Sequence, residues 1–447
     1  MVTPSVQDGL DQAGSAVALL WKPDAPPWFP EVIEPEYAGW KVEQAAWYDT
    51  VTIADLSHHM SDTFIEGPQA TEMLTAVSAN NYESFAIGQA KQFVPVAEDG
   101  NIITDGILLR TGEQTYTLSG VSAAQNWVKY HAQRMRYDVS FETNPETSVR
   151  QRMGGGEPAL FRYQIQGPLA GALIEEVFGG PLPPTRFFHS TPVELEGRRF
   201  RALRHGMAGQ AGFEFIGDWK DGAFVKEALL KAGEHYGLVH QGAWSYPTAS
   251  LGSGWIPSPT PAIYTDPALE DYRRSVSLFS YEGQKPLQGS YFSPNIEDYY
   301  CSPYELGYGR SISFNHDFIG RAALEKAKDE APRTKVTLVF DRDDVTRVLG
   351  EDPGLVHHYW RNRVEVGGEL VGVTFQTGWL DPVGTVMALT LVDKAHAATG
   401  TEVEVVWGQH PGAGTDPDAD LGFPRLRATV HPAPYNEVSR TLYRARA

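Results

Sequence analysis

The residue types with most chemical content gather in Gly206-Met207-Ala208-Gly209-Gln210-Ala211-Gly212-Phe213-Glu214-Phe215. A second stretch, Gly242-Ala243-Trp244-Ser245-Tyr246-Pro247-Thr248, follows and runs on to Trp255. Glycines in the first stretch let the backbone come close to a flat ligand. On a strand, Glu214 projects away from the side taken by Phe213 and Phe215. Its carboxylate then has two readings. Either it is solvated on an edge strand, or it is enclosed and must accept hydrogen bonds from N–H groups, because an unpaired buried charge is costly. A flat heterocycle with adjacent N–H donors meets the second requirement.

Other motifs narrow the chemistry. Ser57-His58-His59-Met60 follows the apolar run Val51 to Leu56. Neighbouring histidines on a strand face opposite sides and cannot share one metal in regular geometry. No HExxH, CxxC pair or carboxylate cluster completes a site, so no metal is expected. One of the two histidines facing a cleft, or both serving structure, are equal readings. Gly154-Gly155-Gly156 lacks the Lys-Ser/Thr of a phosphate loop and reads as a connection between two halves. No Gly-x-Gly-x-x-Gly opens a βαβ unit, which argues against an NAD or flavin domain. No Gly-x-Ser-x-Gly elbow supports a covalent hydrolase.

A weak internal repeat positions these residues. Phe64-Ile65-Glu66-Gly67-Pro68 leads into a helical pattern over Gln69 to Val77, with Met73, Leu74 and Val77 on one side. Gln164-Ile165-Gln166-Gly167-Pro168 leads into another over Leu169 to Phe178. Each reads as strand, glycine turn, then helix with Pro in its first turn. Thr115 to Gly120 reads as a strand, followed by Ser122 as N-cap of a helix through Trp127, Val128 and His131. Phe213 to Gly217 reads as the matching strand, before a helix from about Gly222 to His235. Two related α+β halves enclosing a cleft are expected, over residues 1–145 and 146–334, the second including a proline-stiffened crossing segment at Pro257, Pro259 and Pro261. Residues 335–447 are expected to form an antiparallel β-domain. Its strands are Val336 to Phe340, Arg363 to Val366, Leu370 to Phe375, Val386 to Val392 and Glu402 to Trp407, with a hairpin at Gly367-Gly368.

The totals exclude several partners. A net charge of −19 over 447 residues argues against nucleic acid and anionic membrane surfaces. No run approaches the length of a membrane-spanning helix. Cys301 is the single cysteine, which rules out an intrachain disulfide and suggests a reducing, cytoplasmic setting. Oligomeric state is not readable.

Together these segments resemble the aminomethyltransferase (T-protein) family of the glycine cleavage system. The likeness is carried by Ile165-Gln166-Gly167-Pro168, by the Gly206 to Phe215 and Gly242 to Trp255 segments, and by Ser302 to Gly309 followed by Asp317 to Leu324. Within it, Asp55-Leu56-Ser57-His58-His59-Met60, Tyr246, Gly254-Trp255-Ile256-Pro257-Ser258-Pro259 and Asn295 to Tyr300 resemble the branch of tetrahydrofolate-dependent aryl O-demethylases. The resemblance implies transfer of a methyl group from an aromatic methyl ether to N5 of tetrahydrofolate. It further implies that Glu214 binds the pterin, that Gln164, Gln166 and Trp255 line the folate, and that Asp105 matches one of a family pair of aspartates. Tyr246 and His59 would lie beside the methoxy group, either being the proton donor. Leu56 and Val121 fall at substrate-lining positions where vanillate-type members carry Gln and Arg. Gly252 replaces a Glu common in the wider family. Neighbouring alternatives are folate-dependent S-demethylation of a sulfonium, the T-protein's own methylene transfer, and a non-catalytic folate-binding assembly role.

Overall fold

A computed structural model describes residues 3–148, 156–257 and 259–441, so only Gly156 of the triple glycine lies within the described residues. Eleven strands build its first two sheets. They are β1 (Val51–Asp55), β2 (Ser61–Glu66), β3 (Ala90–Phe93), β4 (Gly106–Arg110), β5 (Thr115–Gly120), β6 (Ser140–Asn144), β7 (Leu160–Gln166), β8 (Ser190–Leu195), β9 (Arg198–Leu203), β10 (Gly212–Asp218) and β11 (Leu238–His240). One sheet has the order β3-β4-β5-β2-β6, the other β11-β1-β7-β10-β9-β8. The expected repeat is therefore present, with a crossing that the sequence pattern does not reveal. The strand leading the first unit, β1, pairs with β7 of the second, while β6, leading the second unit, pairs with β2 of the first. A cut at residue 145 separates the two sheets in every strand except β1.

The glycine turns explain why the repeat is visible at all. Gly67 has φ of 148° and Gly167 of 135°, conformations that an L side chain resists. A Cβ on Gly67 would lie 2.5 Å from the carbonyl oxygen of Asp138, just before β6. One on Gly167 would lie 2.5 Å from that of Thr50, just before β1. Each glycine lets its strand approach the exchanged partner. The prolines do not sit in the helices as expected. Ala70 and Ala170 donate their N–H groups back to Gly67 and Gly167, so Pro68 and Pro168 occupy the second position of a β-turn, where their fixed φ fits. Helices then run over Ala70–Val77 and Ala170–Phe178. Ser122 is likewise the first helical residue of Ser122–Met135 rather than its cap. Val121 occupies the cap position, and the Ser122 hydroxyl accepts from the Tyr281 N–H instead.

Each sheet covers an apolar layer. Ile65, Met73, Leu74, Leu118 and Trp127 form the first core, joined by Val6, Leu20 and Tyr272. Ile53, Phe161, Ile165, Leu173, Phe215 and Leu229 form the second.

The remaining strands are β12 (Arg333–Phe340), β13 (His357–His358), β14 (Arg363–Val366), β15 (Glu369–Leu380), β16 (Thr385–Asp393), β17 (Glu402–Val406) and β18 (Arg425–Pro432). Their order, β13-β15-β14-β17-β18-β12-β16 with β16 also paired to β15, closes an antiparallel barrel. The Gly367-Gly368 hairpin joins β14 to β15 with both glycines at positive φ. β18 lies beyond the strands expected from sequence, in alternating Leu426, Ala428 and Val430 that face the barrel core.

Gly167→Ala is expected to lower the unfolding free energy by about 1–3 kcal/mol, because both its φ and the Thr50 backbone oppose a side chain. Gly171, in the following helix with open space around it, provides the contrast: Gly171→Ala should raise stability by a few tenths to about 1 kcal/mol. Urea unfolding of both variants checks the pair.

Candidate active site

The two sheets meet at a buried ion bridge. Arg162 on β7 donates through Nη1 to Glu214 Oε1 on β10 at 2.7 Å, and through Nη2 to Asp62 Oδ1 on β2 at 2.7 Å. The same Nη2 reaches Ser119 Oγ on β5 at 2.6 Å, and that hydroxyl also donates to Asp62. Burial acts to lower the Arg162 pKa, but Asp62 and Glu214 outweigh it and hold the guanidinium above its ordinary value. Sequence reasoning missed Arg162 and Asp62. A signal was present: Arg162, Gln164 and Gln166 alternate with Phe161, Tyr163 and Ile165, which marks one polar face on a fully buried strand.

Glu214 is 3% exposed, which settles the two readings of its carboxylate in favour of the enclosed one. Its cross-strand neighbour is Gln164. The Gln164 carbonyl accepts from the Met207 N–H at 3.2 Å, leaving the buried Nε2 without a partner among the described residues. Glu214 Oε2 also takes no hydrogen bond there. A free acceptor and a free donor thus stand side by side on one face. Gln166 is engaged at both ends: its amide accepts from the Ala208 N–H and donates to the Gln210 carbonyl, so it braces the glycine loop. Gly206 passes so close that a Cβ would overlap this amide.

Tyr246 opens a short 3-10 turn, its N–H donating to Gly242 O at 3.2 Å. The turn is held by Glu43, which the sequence reading did not single out. Glu43 is wholly buried and accepts from the Gly242 N–H, the Ser245 hydroxyl and the N–H groups of Tyr37 and Ala38. Burial first, and then the Glu214 charge, raise the Tyr246 pKa well above 10, with Arg162 opposing. The hydroxyl therefore lies within electrostatic reach of the ion bridge and keeps its proton.

His59 stands edge-on to Tyr246 with ring centroids 5.0 Å apart. Burial pushes its pKa down to about 4, and neither ring nitrogen has a partner among the described residues. His58 turns away to Thr147 Oγ1 at 2.7 Å. The two histidines diverge, although they sit in a turn between β1 and β2 and not on a strand. Trp28, also missed, is edge-on to His59 with ring centroids 6.1 Å apart. His205, with an unpartnered buried Nδ1, stacks on Phe188 and senses Glu214.

A second group surrounds Asp105. Its Oδ2 accepts from Gln92 Nε2 at 2.5 Å, Trp255 Nε1 at 2.6 Å and the Tyr308 hydroxyl at 2.6 Å. Burial raises the carboxyl's pKa against these bonds. Asp105 thus fixes the Trp255 ring. Val121 belongs to this side, since the preceding Gly120 backs onto the Asp105 carbonyl. Leu56 is buried beside β7, its N–H donating to Arg162 O at 2.8 Å. None of these residues lies in the cleft of about 470 Å³ on the barrel, where Arg363, Glu365, Asp418 and Arg425 pair with one another.

Residues 8–256 match the family model of the GCVT N-terminal domain. The chain is 35% identical to a syringate O-demethylase of Sphingobium sp., over 98% of this chain and 97% of that one. It is 29% identical to a sesamin methylene transferase of Sinomonas sp., over 91% and 90%. The aminomethyltransferase T of Bartonella henselae shares the fold, with a TM-score of 0.63 at 17% identity, covering 91% of this chain and 92% of that one. The chain belongs to the aminomethyltransferase (GCVT) family.

Three buried histidines, His59, His131 and His357, have pKa values pushed from 6.5 to about 4 by burial. The unfolded chain takes up protons at 6.5, while the folded one resists them down to about 4. Stability is therefore full above that window and falls as pH drops through it, by about 1.4 kcal/mol per pH unit for each histidine. Urea midpoints measured at neutral and at mildly acidic pH should differ in that direction. Equal midpoints would show that these rings are solvated.

Proposed function

We propose that this protein is a tetrahydrofolate-dependent O-demethylase acting on an aromatic methyl ether and releasing a phenol and 5-methyltetrahydrofolate. One juxtaposition carries the reading. The buried Glu214, whose only side-chain hydrogen bond is made by Oε1, and the unpartnered Gln164 amide N–H stand opposite each other on β10 and β7, within electrostatic reach of an unionised tyrosine. The relatives named for syringate O-demethylation and sesamin methylene transfer support it.

Glu214 Oε2 and Gln164 Nε2 fit the N–H and acceptor edge of a pterin, and Trp255, fixed by Asp105, would line the same ligand. When bound, tetrahydrofolate supplies a neutral secondary amine that accepts the methyl group. Arg162 contributes by holding the Glu214 carboxylate in place through its Oε1. Holding the reacting atoms in line is worth several kcal/mol by positioning alone. Tyr246 donates a hydrogen bond to the ether oxygen, on which charge develops as the carbon–oxygen bond breaks. Burial makes Tyr246 a weaker acid than a phenol in water, yet the departing phenolate sits in the same dehydrated place and becomes a stronger base. The proton between the two phenol oxygens therefore stays nearly balanced. His59 is uncharged at neutral pH, so its part is to pack and orient Tyr246; the tyrosine passes its proton to the departing oxygen and is reprotonated at the expense of the acceptor's amine N–H, so the phenol gains the one proton the amine loses.

Tyr246→Phe should reduce turnover by about 10²-fold or more, followed as 5-methyltetrahydrofolate formation, while calorimetry shows tetrahydrofolate binding little changed. Wild-type turnover would remove Tyr246 from the mechanism. Glu214→Gln should raise the tetrahydrofolate dissociation constant about tenfold or more, through loss of a charge-assisted hydrogen bond. An unchanged constant would place the pterin elsewhere.

A further inference from the structure

The charges around Tyr246 select among methyl ethers. Arg162 is the cation whose charge bears on Tyr246; its two terminal nitrogens bind Glu214 and Asp62, and its buried Nε has no partner among the described residues. Lys226 lies on the opposite face of this sheet, over Tyr163, where it is paired with Asp55 at 3.0 Å. One guanidinium bridging two carboxylates, Asp62 and Glu214, leaves this corner net negative. His205 senses the same imbalance.

The imidazoles do not correct this. His58, His59 and His205 all have pKa values lowered by burial, so they are uncharged at neutral pH. Two apolar groups stand nearby: Leu56 is 2% exposed, and Trp28, 42% exposed, is edge-on to His59. Trp28 is carried on Pro26-Pro27-Trp28-Phe29-Pro30, and Phe29 packs on His357 of the barrel with ring centroids 5.5 Å apart. Proline stiffness and this anchor hold the indole in place. A ring lodged beside His59 and Tyr246 therefore meets aromatic faces and unpaired neutral nitrogens.

We infer that the preferred methyl donor is an uncharged methoxyarene, a methoxyphenol or its neutral derivative, and not a methoxybenzoate anion. This rests on the demethylation reading above. A ring carboxylate would enter a half-buried, net negative corner whose cation already bridges two carboxylates, and such a charge is expensive to bury. A neutral ring loses only weakly held water and gains aromatic contact.

Two substrate pairs of matched ring pattern test the idea with the wild-type protein and tetrahydrofolate: guaiacol against 4-hydroxy-3-methoxybenzoate, and 2,6-dimethoxyphenol against 4-hydroxy-3,5-dimethoxybenzoate. The methyl ester of the last compound adds bulk without charge. Formation of 5-methyltetrahydrofolate is followed, and kcat/KM compared at neutral pH. The phenol of each pair and the ester should exceed the benzoates by about tenfold or more, mainly through KM. Benzoates as good as or better than the phenols would overturn the inference and leave the demethylase reading standing. An ester as poor as its parent benzoate would show that bulk decides, and would overturn it equally. Transfer from none of the five compounds would sink the parent reading, and this one with it.

Discussion

The constraint on which the site depends is a guanidinium that water cannot reach. Arg162 is 5% exposed and bridges carboxylates from two different sheets. An isolated charge there would be untenable, and three isolated charges more so. The sheets must therefore stay in register with each other to within hydrogen-bond tolerance. That requirement fixes Glu214 relative to β2 and β5, and so relative to the turn carrying His59. The Glu214 carboxylate is in this way made part of the scaffold, with one oxygen committed to the protein and the other left over.

Tyr246 draws its character from the same arrangement. Its hydroxyl is kept protonated by burial and by Glu214, and its backbone is set by Glu43, whose carboxylate spans two loops. The two acidic residues divide the labour. Glu43 is saturated with donors and acts on geometry, whereas Glu214 is half satisfied and acts on charge. Asp105 is closer to the first kind, with three donors converging on one oxygen to hold the Trp255 indole.

Local signals made much of this legible in the sequence. The glycine-proline turns, the helices behind them and the barrel strands announce themselves within a dozen residues each, because turn chemistry and side-chain period are short-range. Glu214, Tyr246, His59 and Trp255 stood out because they sit inside unusual local runs. Arg162, Asp62 and Glu43 were not, since their meaning lies in partners far along the chain: Arg162 reaches over 100 residues to Asp62 and 52 to Glu214. Gln166 looked equivalent to Gln164, and only the loop folded back on it tells them apart. The exchange of β1 and β6 was hidden for the same reason, as no local pattern states which sheet a strand will join.

That exchange sets the order in which the chain can become complete during synthesis. β1 leaves the ribosome early, yet both its neighbours, β7 and β11, are made much later. Until Leu160–Gln166 has emerged, an apolar strand waits with both edges bare. β6, by contrast, finds β2 already present and can close the first sheet at once. The nascent protein therefore carries one finished half and one sticky ribbon, a state in which a chaperone or a neighbouring copy competes for Val51–Asp55.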